Sequence, residues 1–143
     1  MLRRIFICIA MLSLFLAVLN PLSIWAEDCE QSDTTGRWNI YFWGISKHAL
    51  GIPSWLRCYI KVTGEGKVKP KDCKDDRGDS IRLKAGEILW QKNCVYDGYF
   101  IFGSGIGKMI ISRATMDNAN HNIMQGVGSG QFGYPFNFSA IKK

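Results

Sequence analysis

The chain is poor in the residues from which hydrolytic sites are usually built. It carries two histidines in 143 residues, His48 and His121. Neither stands in a nucleophile motif, and a hydroxyl or thiol nucleophile needs a base beside it. No two histidines are spaced i, i+2 or i, i+4, and no C-x-x-C pair occurs, so the usual zinc modules are excluded. Beyond the N-terminal stretch the glutamates are Glu65 and Glu87 alone. Glu65 reads as a turn tip and Glu87 as an outward strand position, which gives no acid pair across a cleft for glycoside hydrolysis. No segment has the 3.6-residue period of an amphipathic helix, which excludes a helical bundle. There is no run of like charge, no internal repeat and no low-complexity tract. The expectation from these absences is a protein that is not an enzyme and holds neither cofactor nor metal.

What is present begins with an export signal. Arg3 and Arg4 precede an apolar run from Ile5 to Leu19 that only Ser13 interrupts, and Pro21 ends it before Ala26. That run is short for a membrane span, which takes about 20 residues, so residues 1–26 read as a removed signal peptide. Ile24 at the −3 position leaves the cut open by a few residues. Glu27 and Asp28 before Cys29 do not make a lipoprotein cleavage site. The remaining 117 residues hold 16 basic and 12 acidic side chains. Along the sequence these cations are dispersed, and the densest stretch, Lys67 to Arg77, is interleaved with Asp72, Asp75 and Asp76. A nucleic-acid face concentrates its charge, so no nucleic-acid partner is expected. The expected location is secreted or periplasmic.

Four cysteines remain after Cys8 leaves with the signal: Cys29, Cys58, Cys73 and Cys94. An even number in an exported chain argues for two disulfides. Three pairings are open. Cys58 and Cys73 flank a hairpin, so Cys58–Cys73 with Cys29–Cys94 is favoured. Placing Val62 and Val68 on one face, however, leaves the sulfurs of Cys58 and Cys73 one register step apart, which requires a bulge.

Residues 27–35 are polar and read as a tethered arm, and residues 36–143 as one domain. Trp38, Ile40 and Phe42 alternate against Asn39, Tyr41 and Trp43, a strand with aromatics on both faces and so expected to be covered on both sides at one end. Gly44 to Trp55 is an apolar loop with one helical turn near Ser46–Leu50, broken by Pro53. Leu56 to Thr63 is a strand with Cys58, Ile60 and Val62 inward. Gly64-Glu65-Gly66 is a hairpin turn, and Lys67 to Pro70 a short lysine-rich edge. Lys71 to Ser80 reads as a charged, solvated loop. Ile81–Trp90, Cys94–Phe102, Met109–Met116 and Ile123–Val127 are further strands, with Gly86 shifting the phase of the first. Tyr134, Phe136, Phe138 and Ala140 then fall on one side of the last. Turn signals every eight to twelve residues mean an all-β barrel or sandwich. The fold class expected is therefore an antiparallel up-and-down β-barrel, or a sandwich, of seven to eight disulfide-stapled strands.

Four strings resemble functional motifs. Gly128-Ser129-Gly130-Gln131-Phe132-Gly133 matches G-x-G-x-x-G, but that motif needs a following helix; here a strand follows, and a β-turn is the reading. Gly103 to Lys108 lacks the P-loop spacing. Arg77-Gly78-Asp79 spells an adhesion tripeptide in a charged loop. His121 reads as a solvated turn residue, and Asp72–Asp79 as surface charge rather than a calcium loop. Asn137-Phe138-Ser139 is a glycosylation sequon by letter.

The aromatics carry the functional expectation. Fifteen follow the signal; most fill a small β core, while some can line a ligand site. Trp43, Trp55 and Tyr59 bracket the apolar loop as a rim or lid. With Trp90, Tyr99 and Phe102 they form the expected ligand-binding set, for a small apolar or aromatic ligand or for a protein partner.

The early Gly36-Arg37-Trp38 strand, with the closing meander from Ile111 to Gly128, resembles the calycin superfamily of lipocalins, avidin-like proteins and small periplasmic protease inhibitors. The resemblance implies a barrel whose mouth binds a ligand, or whose N-terminal arm enters a protease cleft. It also implies that Trp38 closes the barrel floor. The second lipocalin motif, with its Thr-Asp-Tyr, is missing, and four cysteines exceed the single disulfide usual in the bacterial inhibitors.

Overall fold

The computed structural model of the chain describes residues 29–44, 55–103, 105–117 and 119–143. The signal segment, Glu27, Asp28, and the loop with His48 and Ser46–Leu50 lie outside the described residues. Nine strand segments follow one another: β1 Gly36–Trp43, β2 Trp55–Val62, β3 Lys67–Val68, β4 Lys71–Asp75, β5 Ser80–Lys92, β6 Val95–Phe102, β7 Lys108–Met116, β8 Ile123–Ser129 and β9 Pro135–Lys142. Each pairs antiparallel with its neighbour around the sheet, and β9 returns to β1. Both β3 and β4 lie between β2 and β5. They are halves of one interrupted strand, so eight strand positions close a barrel, as the alternation predicts. No helix among the described residues is long and apolar enough to cross a membrane.

Two sequence expectations change here. Lys67–Pro70 is no exposed edge, because β3 is paired on both sides. Lys71–Asp75 is a strand and no solvated loop. Its Lys71, Asp72 and Lys74 face water while Cys73 and Asp75 face in, a pattern hidden by the high charge of the stretch.

The interruption at Lys69-Pro70 resolves the register conflict between the valines and the cysteines. Val62 faces Val68 and Cys58 faces Cys73, and these two pairings differ by one residue. The extra residue is taken up at Pro70, which has no amide to give to a ladder. Both disulfides form as expected, Cys58–Cys73 and Cys29–Cys94.

The interior is filled. Phe42 stands among Phe100, Phe102, Phe136 and Phe138, with ring centroids 5.1 to 6.1 Å apart. Such pairs add about 0.5–1.5 kcal/mol each beyond their burial. Leu56, Leu83, Met109, Ile111 and Ile40 complete the packing, each with at most 2% of its surface accessible. Rings and glycines are matched across β8 and β9: Gly126 faces Phe138 and Gly128 faces Phe136. A Cβ at Gly126 would run into the Phe138 ring, so the missing side chain is what admits the phenyl group.

One end of the barrel is plugged by a 3-10 turn, Gln31–Thr34. Gln31 Nε2 donates to Ile88 O (2.8 Å), and Trp90 N donates to Gln31 Oε1 (2.7 Å). Trp38 Nε1 donates to Thr34 O at 2.7 Å, and Lys142 Nζ to Asp33 O at 2.9 Å while standing 5.7 Å from the Trp38 ring. Tyr96 donates its hydroxyl to Glu30 O, and burial pushes that phenol's pKa well above its ordinary value. Residues 29–35 are thus fastened to the floor. His121 Nδ1 lies 3.1 Å from Asp33 Oδ1 and the ring is largely enclosed, so this histidine is a wall of the plug and no solvated turn residue.

Candidate binding surface

The six aromatics expected to bind a ligand do not converge. Phe102 is in the core, 3% exposed and 5.8 Å from Phe42. Trp90 stands at the plugged end, opposite Tyr96. Tyr99 is on the outer wall of β6 with Lys108 Nζ 4.7 Å above its ring. Trp43 and Trp55, by contrast, are direct cross-strand partners at the start of the β1–β2 connection, and Tyr59 follows on the same outer face of β2. All three are more than 40% exposed. Among the described residues nothing covers the aromatic outer face of β1 at this end, and the apolar loop that joins β1 to β2 lies outside them.

Strand register extends this pair into a row. Trp43 faces Asn137 on β9, Asn137 faces Val127 on β8, and Val127 faces Arg113 on β7. A groove of about 370 Å³ runs along it, lined by Trp43, Asn137, Val127, Arg113, Gln125 and Thr115 over the backbone of Gly126. The volume is in the range of small-molecule sites. Arg113 reaches the outer wall because β7 bulges between Ile111 and Arg113. Met109 and Ile111 point in before the bulge, Ala114 and Met116 after it, and the extra residue leaves Ser112 and Arg113 both outside. Sequence reasoning missed Arg113, Gln125, Val127 and Asn137. Their signal was the solvent phase of three strands, which says nothing about who stands beside whom until the register is known.

No protein-family profile and no curated protein matches the chain. Among solved structures it is similar to a de novo designed fluorescence-activating β-barrel. The TM-score is 0.54 at 11% identity, over 76% of this chain and 93% of that one. The likeness is one of fold.

The groove offers one indole face, a guanidinium, two side-chain amides and a hydroxyl. Among the described residues it holds no nucleophile–base pair, and those that line it can stack and hydrogen-bond. Beside it Arg57 lies 5.5 Å from the Tyr59 ring, while Asn39 Oδ1 and Arg57 Nε are shielded from water without a partner. Elsewhere the sulfurs of Cys29 and Cys94 and a ring nitrogen of His121 lie within 4.8 Å of one another. The sulfurs are bonded to each other, so no thiolate is offered to a metal. The Arg77-Gly78-Asp79 arginine folds back on Asp75, Nη2 to Oδ2 3.3 Å. That buried carboxylate also accepts from the amides of Arg77 and Asp79. Asp72 is held by Arg82 at 3.1 Å.

Proposed function

We propose that this is an exported, non-catalytic binding barrel that takes a small apolar or aromatic ligand on its wall, in the Trp43–Arg113 groove. The supporting observation is the contrast between an interior packed with phenyl rings and an open groove with one free indole face. A planar ligand would stack on Trp43, with Arg113 against its opposite edge and Asn137 and Gln125 fixing its orientation. Two disulfides fit an oxidising compartment, which accords with export. The Trp38 indole, bonded to the Thr34 carbonyl at the plugged floor, supports a calycin-like version of this reading.

Titration with a planar aromatic probe such as 1-anilinonaphthalene-8-sulfonate, read by tryptophan quenching, tests the proposal. Saturable binding should weaken about tenfold or more in Trp43→Ala and little in Trp90→Ala. Equal binding by wild type and Trp43→Ala would remove the groove from the account.

A second reading, a secreted protein-binding module, is favoured by Tyr41, Trp43, Trp55 and Tyr59, which stand about 40% exposed on two adjacent strands. Aromatics of this kind anchor interfaces. The protease-inhibitor version would need another reactive segment than residues 29–35, because these are tied into the floor.

A further inference from the structure

The cations that look dispersed along the sequence are gathered by the fold. Arg37 on β1 faces Lys61 on β2. Lys143 N donates to Arg37 O, and Lys69 N donates to Lys61 O. Lys143, Arg37, Lys61 and Lys69 therefore occupy one row across four consecutive strand positions on the outer wall. Lys71 follows just beyond the Pro70 interruption. These five line a groove of about 430 Å³ with Tyr59, Ile60, Pro70 and Trp38. None of the lining residues is acidic, and among the described residues none of the five cations is in an ion pair. The only aromatic ring exposed there, Tyr59, has Lys143 Nζ 4.9 Å from its centre, which holds that ammonium over the groove.

Such a row opposes folding. Like charges directly opposite on paired strands repel, and Arg37 and Lys61 are direct partners. A protein that only needed solubility could scatter these charges. Neighbouring strands stand about 5 Å apart, so the row presents one cation at each such interval. That interval is close to the advance per residue of an extended glycan chain. We infer that the groove binds an acidic polysaccharide, one uronate or sulfate group per sugar, lying across the strands from Lys143 to Lys69. Single-stranded nucleic acid would call for free aromatic faces on which bases stack, and the Tyr59 ring is engaged by Lys143 and Arg57. A lipid surface would call for several apolar side chains standing out beside the cations within the groove, whereas its own Trp38 and Ile60 are buried and the exposed Ile141 lies outside its lining.

The test is calorimetric titration of the full chain with oligogalacturonate and with a heparin-derived tetrasaccharide at low salt. Binding is expected to one or both, falling steeply as salt rises. It should weaken about tenfold or more in Arg37→Gln/Lys61→Gln, and should persist in Lys84→Gln/Lys92→Gln, which alters charge on β5. The first double variant should also melt at or above the wild-type temperature, since it removes a repulsion; this separates loss of binding from loss of fold. Absence of binding to both glycans would overturn the inference. So would binding indifferent to Arg37→Gln/Lys61→Gln, or tighter binding to an oligothymidylate or to phosphatidylglycerol vesicles.

Discussion

Gly126 and Gly128 show how much can hang on the absence of a side chain. In sequence Gly126 falls in the expected Ile123–Val127 strand while Gly128 opens the stretch that reads as a β-turn, yet both lie inside β8 with a phenyl ring over each. Gly126→Ala should cost about 1–3 kcal/mol, the usual range for overpacking. Urea unfolding of Gly126→Ala with and without Phe138→Leu checks the cause, because the smaller partner should return part of the loss. Asp117 is a second residue with an outsized role. Burial works against its charge, but the amides of Ile123, Asn120 and Asn122 outweigh that and hold its pKa below the ordinary carboxylate value. The folded state therefore binds this proton less readily than the unfolded chain. The contribution is complete above about pH 4 and is lost as pH falls through the folded pKa. Melting temperature should drop less between pH 6 and pH 3 in Asp117→Asn than in wild type. Parallel profiles would show that the amide cradle is indifferent to charge.

At the scale of elements, what could be read in advance was what periodicity encodes. The inward sides of β1, β2 and β9 follow from simple alternation, and the one-step mismatch between Val62–Val68 and Cys58–Cys73 foretold an irregularity in the third strand position. The strand Lys71–Asp75 could not be read, because three of its five residues are exposed and charged and only Cys73 is apolar. The phase change of β7 was equally invisible: a bulge at Ser112 leaves no mark in composition. Since the Trp43–Arg113 groove depends on that bulge and on three registers, no single strand contained it. Removing the Cys58–Cys73 bridge by double Ala substitution should cost about 3 kcal/mol, the loop-closure value for a 15-residue separation. Deleting Pro70 should be worse, since one register must then slip. Thiol titration would show Cys58 and Cys73 partly reduced in that variant, whereas two fully formed bridges would mean that β3 and β4 need no spacer.

At the scale of the whole molecule, the described strands form a closed sheet, plugged at one end and packed with phenyl rings within. Among the described residues the closure leaves no strand with an unpaired edge. It also moves recognition to the outside, where two grooves differ in character: one walled by Trp43, the other by five cations. The two disulfides and barrel closure were legible from the cysteines and the turn spacing, but the gathering of Lys143, Arg37, Lys61 and Lys69 was not. Those residues come from three separate parts of the sequence and meet only when β9 returns to β1.

The phenyl-packed interior has a mechanical consequence. Hydrostatic pressure unfolds proteins mainly by flooding the voids that native packing leaves empty, and the phenyl rings packed around Phe42 occupy the described interior of this barrel. Its unfolding should therefore show a volume change toward the small end of the usual range, about −20 mL/mol, when followed by high-pressure fluorescence. Carving out one ring with Phe138→Ala should make the same protein distinctly compressible and pressure-labile.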